Sequence, residues 1–150
     1  MTPIEMDSLD GKIIQALRED GRASNLELAK KIGLSPSQCM RRVRRLEEAG
    51  VIKGYTAVID DATLGFDIAA WVVITIRKGT TGSRERVMHF LQQHAAVVTC
   101  HGITGDVDFL VKVRTRNMAE FTRFLVEELN GHPDILSTQS YICLDTVKPC

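Results

Sequence analysis

The segment Leu34-Ser35-Pro36-Ser37-Gln38-Cys39-Met40-Arg41-Arg42-Val43-Arg44-Arg45-Leu46-Glu47-Glu48-Ala49-Gly50 is punctuated as a helix at both ends and carries Arg41, Arg42, Arg44 and Arg45 within it. Ser35 and Gln38 have the spacing of a capping box, and Pro36 falls at N1, where its missing N–H costs nothing. Leu34 is placed to staple onto Cys39, and Gly50 supplies a left-handed stop after Leu46, the last periodic residue. At about 100° per residue, Cys39, Val43 and Leu46 share one narrow stripe that must be buried. Ser37, Gln38, Arg41, Arg44 and Arg45 then point the other way. Taken alone, such a helix reads as a solvated face compensated by glutamates. Its neighbours change that reading.

Upstream, Leu9, Ile13, Ala16 and Leu17 form one helical stripe, and Leu26, Leu28, Ala29 and Ile32 mark a second, shorter helix. Ser24 and Glu27 again have capping-box spacing, and Gly33 ends the second helix, leaving only Gly33-Leu34-Ser35 before the arginine helix. Helix, short turn, helix is the geometry that lets the second helix enter a major groove. Ser37, Gln38 and Arg41 are candidates for base edges, Arg42, Arg44 and Arg45 for base or phosphate contacts, and Ser35 completes the set at the helix start. After Gly50, the β-branched run Val51 to Ile59 suits a strand or wing.

Formal net charge is zero, which argues against indiscriminate coating of nucleic acid, so DNA affinity must come from a local patch multiplied by oligomerisation. With 150 residues, 44% of them hydrophobic, the chain can bury one sizeable core or two small ones. No apolar run approaches the roughly 20 residues of a membrane span, and Met1 to Ser8 lacks the basic and apolar regions of an export signal. A cytoplasmic protein without a membrane partner is expected. Cys39, Cys100, Cys143 and Cys150 show no Cys-x-x-Cys pair and no zinc-finger histidine spacing, so reduced thiols are expected and no metal. A redox or metal sensor at Cys100 beside His101, or at Cys150, is the functional alternative. His89, His94, His101 and His132 are scattered, and neither a nucleophile–base spacing nor a phosphate-binding glycine loop appears; no enzyme and no cofactor is called for.

The second half changes character near Leu64-Gly65. Ile68–Arg77, Val97–Ile103, Phe109–Thr115 and Ile135–Val147 read as strands, with helices over Ser83–His94 and from Asn117, where Glu120 would complete a capping box, to Gly131-His132-Pro133. The order βαββαβ is the split βαβ, ferredoxin-like pattern. The fold class is therefore α+β: a winged helix-turn-helix over residues 1–53, a wing or linker strand over 54–64, and the βαββαβ domain over 65–150. In the first of its strands Ala70, Val72, Ile74 and Ile76 share one face and Trp71 and Val73 the other. Two helices cover only one face, so the Trp71 face is expected to meet a second subunit, which also suits a pair of reading helices on a near-palindromic site.

Leu9 to Ile59 resembles the helix-turn-helix half of the Lrp/AsnC, or feast/famine, regulators, through the Leu-Asp start, Leu28-Ala29, Gly33-Leu34-Ser35-Pro36, Arg41-Arg42-Val43, Leu46-Glu47 and Gly50-Val51-Ile52. The resemblance extends over the second half, where Gly102-Ile103-Thr104-Gly105-Asp106-Val107-Asp108-Phe109-Leu110 is similar to the strand-turn-strand signature of the family's RAM domain. Val107 and Ala96 depart from that pattern. The resemblance implies a sequence-specific transcriptional regulator of double-stranded DNA, a homodimer assembling further, for instance to an octamer, and modulated by an amino-acid effector lying between dimers. The implied effector residues are Gly102, Thr104, Gly105, Asp106 and Asp108 of the turn, with Thr138 and Gln139, beside Ser137, on the last strand. Glycine backbone near Gly105 suits a carboxylate, and Asp106 or Asp108 an ammonium group. An ordinary Gly-Asp hairpin with Asp108 capping its own loop would leave the same residues in place. Two alternatives to an effector-modulated regulator are a sirohaem-decarboxylase-like enzyme of the same architecture, with His101 facing a tetrapyrrole, and an architectural DNA-binding protein without an effector.

Overall fold

The computed structural model describes residues 5–147, and the chain divides into two compact units at the Ile59/Asp60 boundary. Cys150 lies outside the described residues.

The first unit holds α1 (Ser8–Glu19), α2 (Asn25–Ile32) and α3 (Pro36–Glu48). Each opens on a reciprocal capping box: Asp7 with Asp10, Ser24 with Glu27, and Ser35 with Gln38. Three boxes in so short a stretch satisfy backbone donors that neighbouring helices could not reach. Gly33 ends α2 at φ 75°, a left-handed conformation that glycine adopts without a Cβ penalty. Ile13 and Ala16 of α1, Leu28 and Ala29 of α2, and Cys39, Val43 and Leu46 of α3 form a single buried cluster, with Leu17, Leu34 and Ile52 packed around it. Leu26 does not join it and is 52% exposed. It stands about 200° round the helix from Leu28, so the face that buries Leu28 and Ala29 turns Leu26 to solvent.

No strand forms over residues 51–59, where a strand or wing was expected. The Val51 and Ile52 N–H groups both fold back to the Leu46 carbonyl, at 2.9 and 3.1 Å, to close α3, with Gly50 at φ 70°. Beyond them the backbone pairs with no strand among the described residues, and Val58 is 86% exposed. β-branched residues favour extended backbone, but a ladder needs a second strand beside it.

The second unit is a four-stranded sheet of order β2-β3-β1-β4, every neighbour antiparallel, built from β1 (Ile68–Ile76), β2 (Val97–Gly102), β3 (Phe109–Thr115) and β4 (Ile135–Ile142). α4 (Ser83–Gln93) and α5 (Met118–Arg123) supply Val87, Leu91 and Phe121 to the core formed by Ala70, Val72, Ile74, Phe109, Val111 and Val113. α5 continues through Phe124–Leu129 with wider turns, the Asn130 N–H reaching the Leu125 carbonyl at 3.0 Å. Asn117 caps α5 by accepting from the Glu120 N–H at 2.9 Å. The expected reciprocal bond is absent, because the Glu120 carboxylate accepts from Arg116 N–H instead, at 3.0 Å. β4 also stops at Ile142 rather than Val147: β1 begins at Ile68, and after the Cys143 N–H donates to Ala69 (2.8 Å) the neighbouring strand runs out. On the face away from the helices, Trp71 lies between Lys112 and Tyr141, and Val73 between Leu110 and Gln139.

Candidate DNA-reading helix and effector end

The buried stripe of α3 fixes which side chains face outward. Ser37, Gln38, Met40, Arg41, Arg44 and Arg45 are all exposed, whereas Arg42 is half-buried. The Ser35 hydroxyl accepts from the Gln38 N–H at 3.3 Å, and the Gln38 side-chain oxygen lies 3.0 Å from that hydroxyl. Ser35 and part of Gln38 are thus committed to the cap.

The four arginines separate by partner. Arg42 is turned toward α1, reaching Asp10 at 2.7 Å and Asp7 at 2.8 Å. Asp10 is 0% exposed and also holds Arg45, so one buried carboxylate binds two guanidiniums of α3. The Asp7 carboxyl titrates below the ordinary range because it accepts the Asp10 N–H and pairs with Arg42, which in turn is raised by Asp7 and then Asp10. Arg45 keeps about half its side chain in solvent despite this contact. Arg44 pairs among the described residues with Glu48 alone, at 2.8 Å, an exposed pair of little intrinsic strength that a phosphate can replace. Arg41 makes no ion pair among the described residues. Arg42 therefore ties α3 to α1 through Asp7 and Asp10, two carboxylates that sequence reading did not single out. Their spacing signals a helix cap, but nothing local signals a partner more than thirty residues along the chain.

In the second unit the β2–β3 turn is pinned to the end of β1. The Asp108 carboxylate accepts from the Ile76 N–H at 2.9 Å, its own N–H donates to the Ile74 carbonyl at 2.9 Å, and its carbonyl accepts from Ile103 at 3.0 Å. Thr104, Gly105 and Asp106 are exposed at the tip, with Gly105 at φ 117°. The Thr138 hydroxyl donates to the Asn130 side chain at 2.7 Å. Thr138 pairs with Ile74 and Gln139 with Val73, so the two side chains project from opposite faces of the sheet. All seven expected effector residues thus share one end of the sheet, but β1 separates the turn from β4.

The same end gathers groups that the sequence did not single out. Arg86 grips Asp134 with two bonds, at 2.6 and 2.7 Å, and the Ser83 hydroxyl lies 2.8 Å from the same carboxylate. Arg86 is the main cause that lowers the Asp134 carboxyl to about 2, against the opposing effect of burial. Arg84 lies with its guanidinium 4.7 Å from the centre of the Phe109 ring. Among the cysteines, burial pushes the Cys39 and Cys100 thiols up, Arg84 opposing it at Cys100, which is the reverse of what a reactive thiolate needs. Cys100 pairs with Val111 and His101 with Leu110, so these neighbours face opposite sides of the sheet rather than forming a joint site.

A model of winged helix-turn-helix DNA-binding domains matches residues 6–53, and a model of the Lrp/AsnC ligand binding domain matches residues 69–150. The leucine-responsive regulatory proteins of Klebsiella pneumoniae and Escherichia coli K12 are 37% identical over 144 residues, 96% of this chain and 88% of theirs. A transcriptional regulator of Neisseria meningitidis, solved in complex with L-Met, superposes with a TM-score of 0.92 at 32% identity, covering 97% of this chain and 94% of its own. LrpC of Bacillus subtilis gives 0.86 at 28% identity, covering 97% and 99%. With both halves matched in order, the chain belongs to the Lrp/AsnC family, as a DNA-binding transcriptional regulator with a ligand-binding domain.

Proposed function

We propose that this regulator binds a specific double-stranded DNA site as a homodimer or a higher assembly such as an octamer, and that a free amino acid modulates its binding through that assembly. The observation that carries the DNA reading is the partition of α3: Arg41 without an ion pair among the described residues, Arg44 in an exchangeable pair, Arg45 half-free, and Ser37 and Gln38 beside them. Arg42 is assigned to holding α3 rather than to DNA. Assembly is supported by the helix-free sheet face, where Trp71, Val73 and Leu110 form an apolar centre flanked by Lys112, Gln139 and Tyr141. Residues 54–59, outside any helix or strand and exposed, offer a second contact to another copy. The meningococcal neighbour's L-Met and the leucine-responsive naming of the enterobacterial relatives favour an apolar L-amino acid as effector. Such a protein acts in the cytoplasm, where its DNA is, and needs no catalytic chemistry.

The test is binding to a duplex selected from a random pool. The Arg41→Ala, Arg44→Ala double variant, with an unchanged circular dichroism spectrum, loses about 1–3 kcal/mol for each base contact removed, while each phosphate contact removed lowers the salt slope by about one. Unchanged affinity and salt slope would reject the assignment of these side chains to DNA.

A further inference from the structure

We propose that Arg84 anchors the effector's carboxylate, so that the site selects a free α-amino acid over its amide or amine; this rests on the amino-acid reading above. No local pattern singles out Arg84, which lies on α4, well before the glycine-rich turn. The fold brings it there. Its guanidinium stacks over the buried Phe109 ring, 4.7 Å from the centroid, and its Nη1 stands 4.0 Å from the Asp108 carboxylate. Gly102 leaves room for the seat: a Cβ there would lie 2.5 Å from Arg84 Nη2, so a side chain at this position would push the guanidinium off it.

Other arginines of this unit contrast with it. Arg86 is closed on Asp134 and Arg114 on Asp61, whereas Arg84 donates no hydrogen bond among the described residues and remains half-exposed. Stacking on Phe109 restrains the side chain in advance, leaving the N–H edge of the guanidinium available for a bidentate carboxylate. Asp108 completes the pattern. One of its oxygens is taken by the Ile76 N–H, while the other faces Arg84 beyond hydrogen-bond reach. A zwitterionic head group carries its carboxylate and ammonium on one carbon, and so bridges a cation and an anion held apart in this way. An amide removes the charge that Arg84 reads, and an amine removes the group altogether.

The experiment is calorimetry on the full chain with the common L-amino acids, then with the amide and the decarboxylated amine of whichever binds. The wild-type protein prefers the acid, and Arg84→Met, which retains cover over Phe109, weakens the acid by roughly 10- to 100-fold and abolishes the preference over the amide. Arg84→Lys restores part of that preference. Equal binding of acid and amide by the wild-type protein overturns the proposal without any variant. So does Arg84→Met with wild-type affinity and preference, which leaves amino-acid sensing intact. Binding of no amino acid by the wild-type protein overturns the sensing reading and this proposal together. A change in thermal midpoint or assembly mass in Arg84→Met marks a packing defect, and the acid-to-amide ratio, read in Arg84→Gln as well, then decides: a ratio near one sustains the anchor, and a wild-type ratio rejects it.

Discussion

Along α3 a single continuous helix delivers every outward side chain. At the candidate effector end of the sheet, by contrast, the polar groups arrive from the start of α4, the end of β2, the turn after it, the end of β1 and the loop before β4. The helix face tolerates change residue by residue, since Ser37, Arg41 and Arg44 lean on nothing buried. The sheet end is knitted by shared partners: Asp108 holds β1, Asp134 holds Arg86 and Ser83, and Gly102 makes room for Arg84. A substitution there displaces a neighbour as well as removing a group. The reading face is independent only above its base, because its orientation depends on Asp10.

Asp10→Ala tests that dependence and carries the largest expected effect. Removing a buried carboxylate that binds both Arg42 and Arg45 and accepts from the Asp7 N–H costs about 2–4 kcal/mol, the sum of lost charge-assisted bonds and a lost cap, because Arg42 keeps Asp7 and Arg45 keeps its solvent. The loss should stay within the helical unit. Trp71, the one tryptophan, lies in the sheet unit, so its fluorescence in urea reports that unit, while circular dichroism at 222 nm reports the helices of both. An early dichroic transition with an unmoved fluorescence transition is expected; parallel shifts in both would break the picture of two separately stabilised units.

Two glycines of the sheet unit sharpen the contrast between fixed and yielding neighbours. A Cβ at Gly131 would lie 2.2 Å from the Glu127 carbonyl oxygen, whereas the Cβ at Gly102 meets only the tip of Arg84. Backbone cannot swing aside as a guanidinium does. Gly131→Ala should destabilise the sheet unit by roughly 1–3 kcal/mol, the range of overpacking, and Gly102→Ala by less. Urea midpoints from Trp71 fluorescence check the order, and equal shifts would show that Arg84 is held as firmly as backbone.

What could be read from the sequence follows the same division. Caps and stripes are local, so Ser35/Gln38, Ser24/Glu27 and the Cys39-Val43-Leu46 face were legible with their roles. The alternation of Ala70, Val72 and Ile74 against Trp71 and Val73 likewise showed a strand with two apolar faces. The pairing of Arg42 could not be read because its partners, Asp7 and Asp10, lie at another helix, and a helical wheel places a side chain without naming what it meets. Val51–Ile59 carried the propensity of a strand but finds no partner strand among the described residues. Arg84, Arg86 and Asp134 were invisible for a further reason: antiparallel pairing of β1 with β3 and β4 brings residues far apart in sequence to one sheet end.

The pH dependence of the sheet unit offers the finest test of its knitted end. Asp134 falls from an ordinary 3.8 to about 2 in the folded protein, first because Arg86 bonds its charged form. A carboxyl lowered on folding contributes stability that is complete above its unfolded pKa and declines as pH falls through its folded value. The contribution of Asp134 should therefore be full above about pH 4 and disappear toward pH 2. Asp60 is also lowered in this unit, by Thr63 and the Ala62 N–H, so some acid sensitivity survives without Asp134. Asp134→Asn should start from a lower urea midpoint at pH 7 and lose less between pH 4 and pH 2, with Trp71 fluorescence as the readout. A variant whose midpoint falls as steeply as wild type across that interval would show that Arg86 and Asp134 do not bind the loop before β4 to α4 through charge.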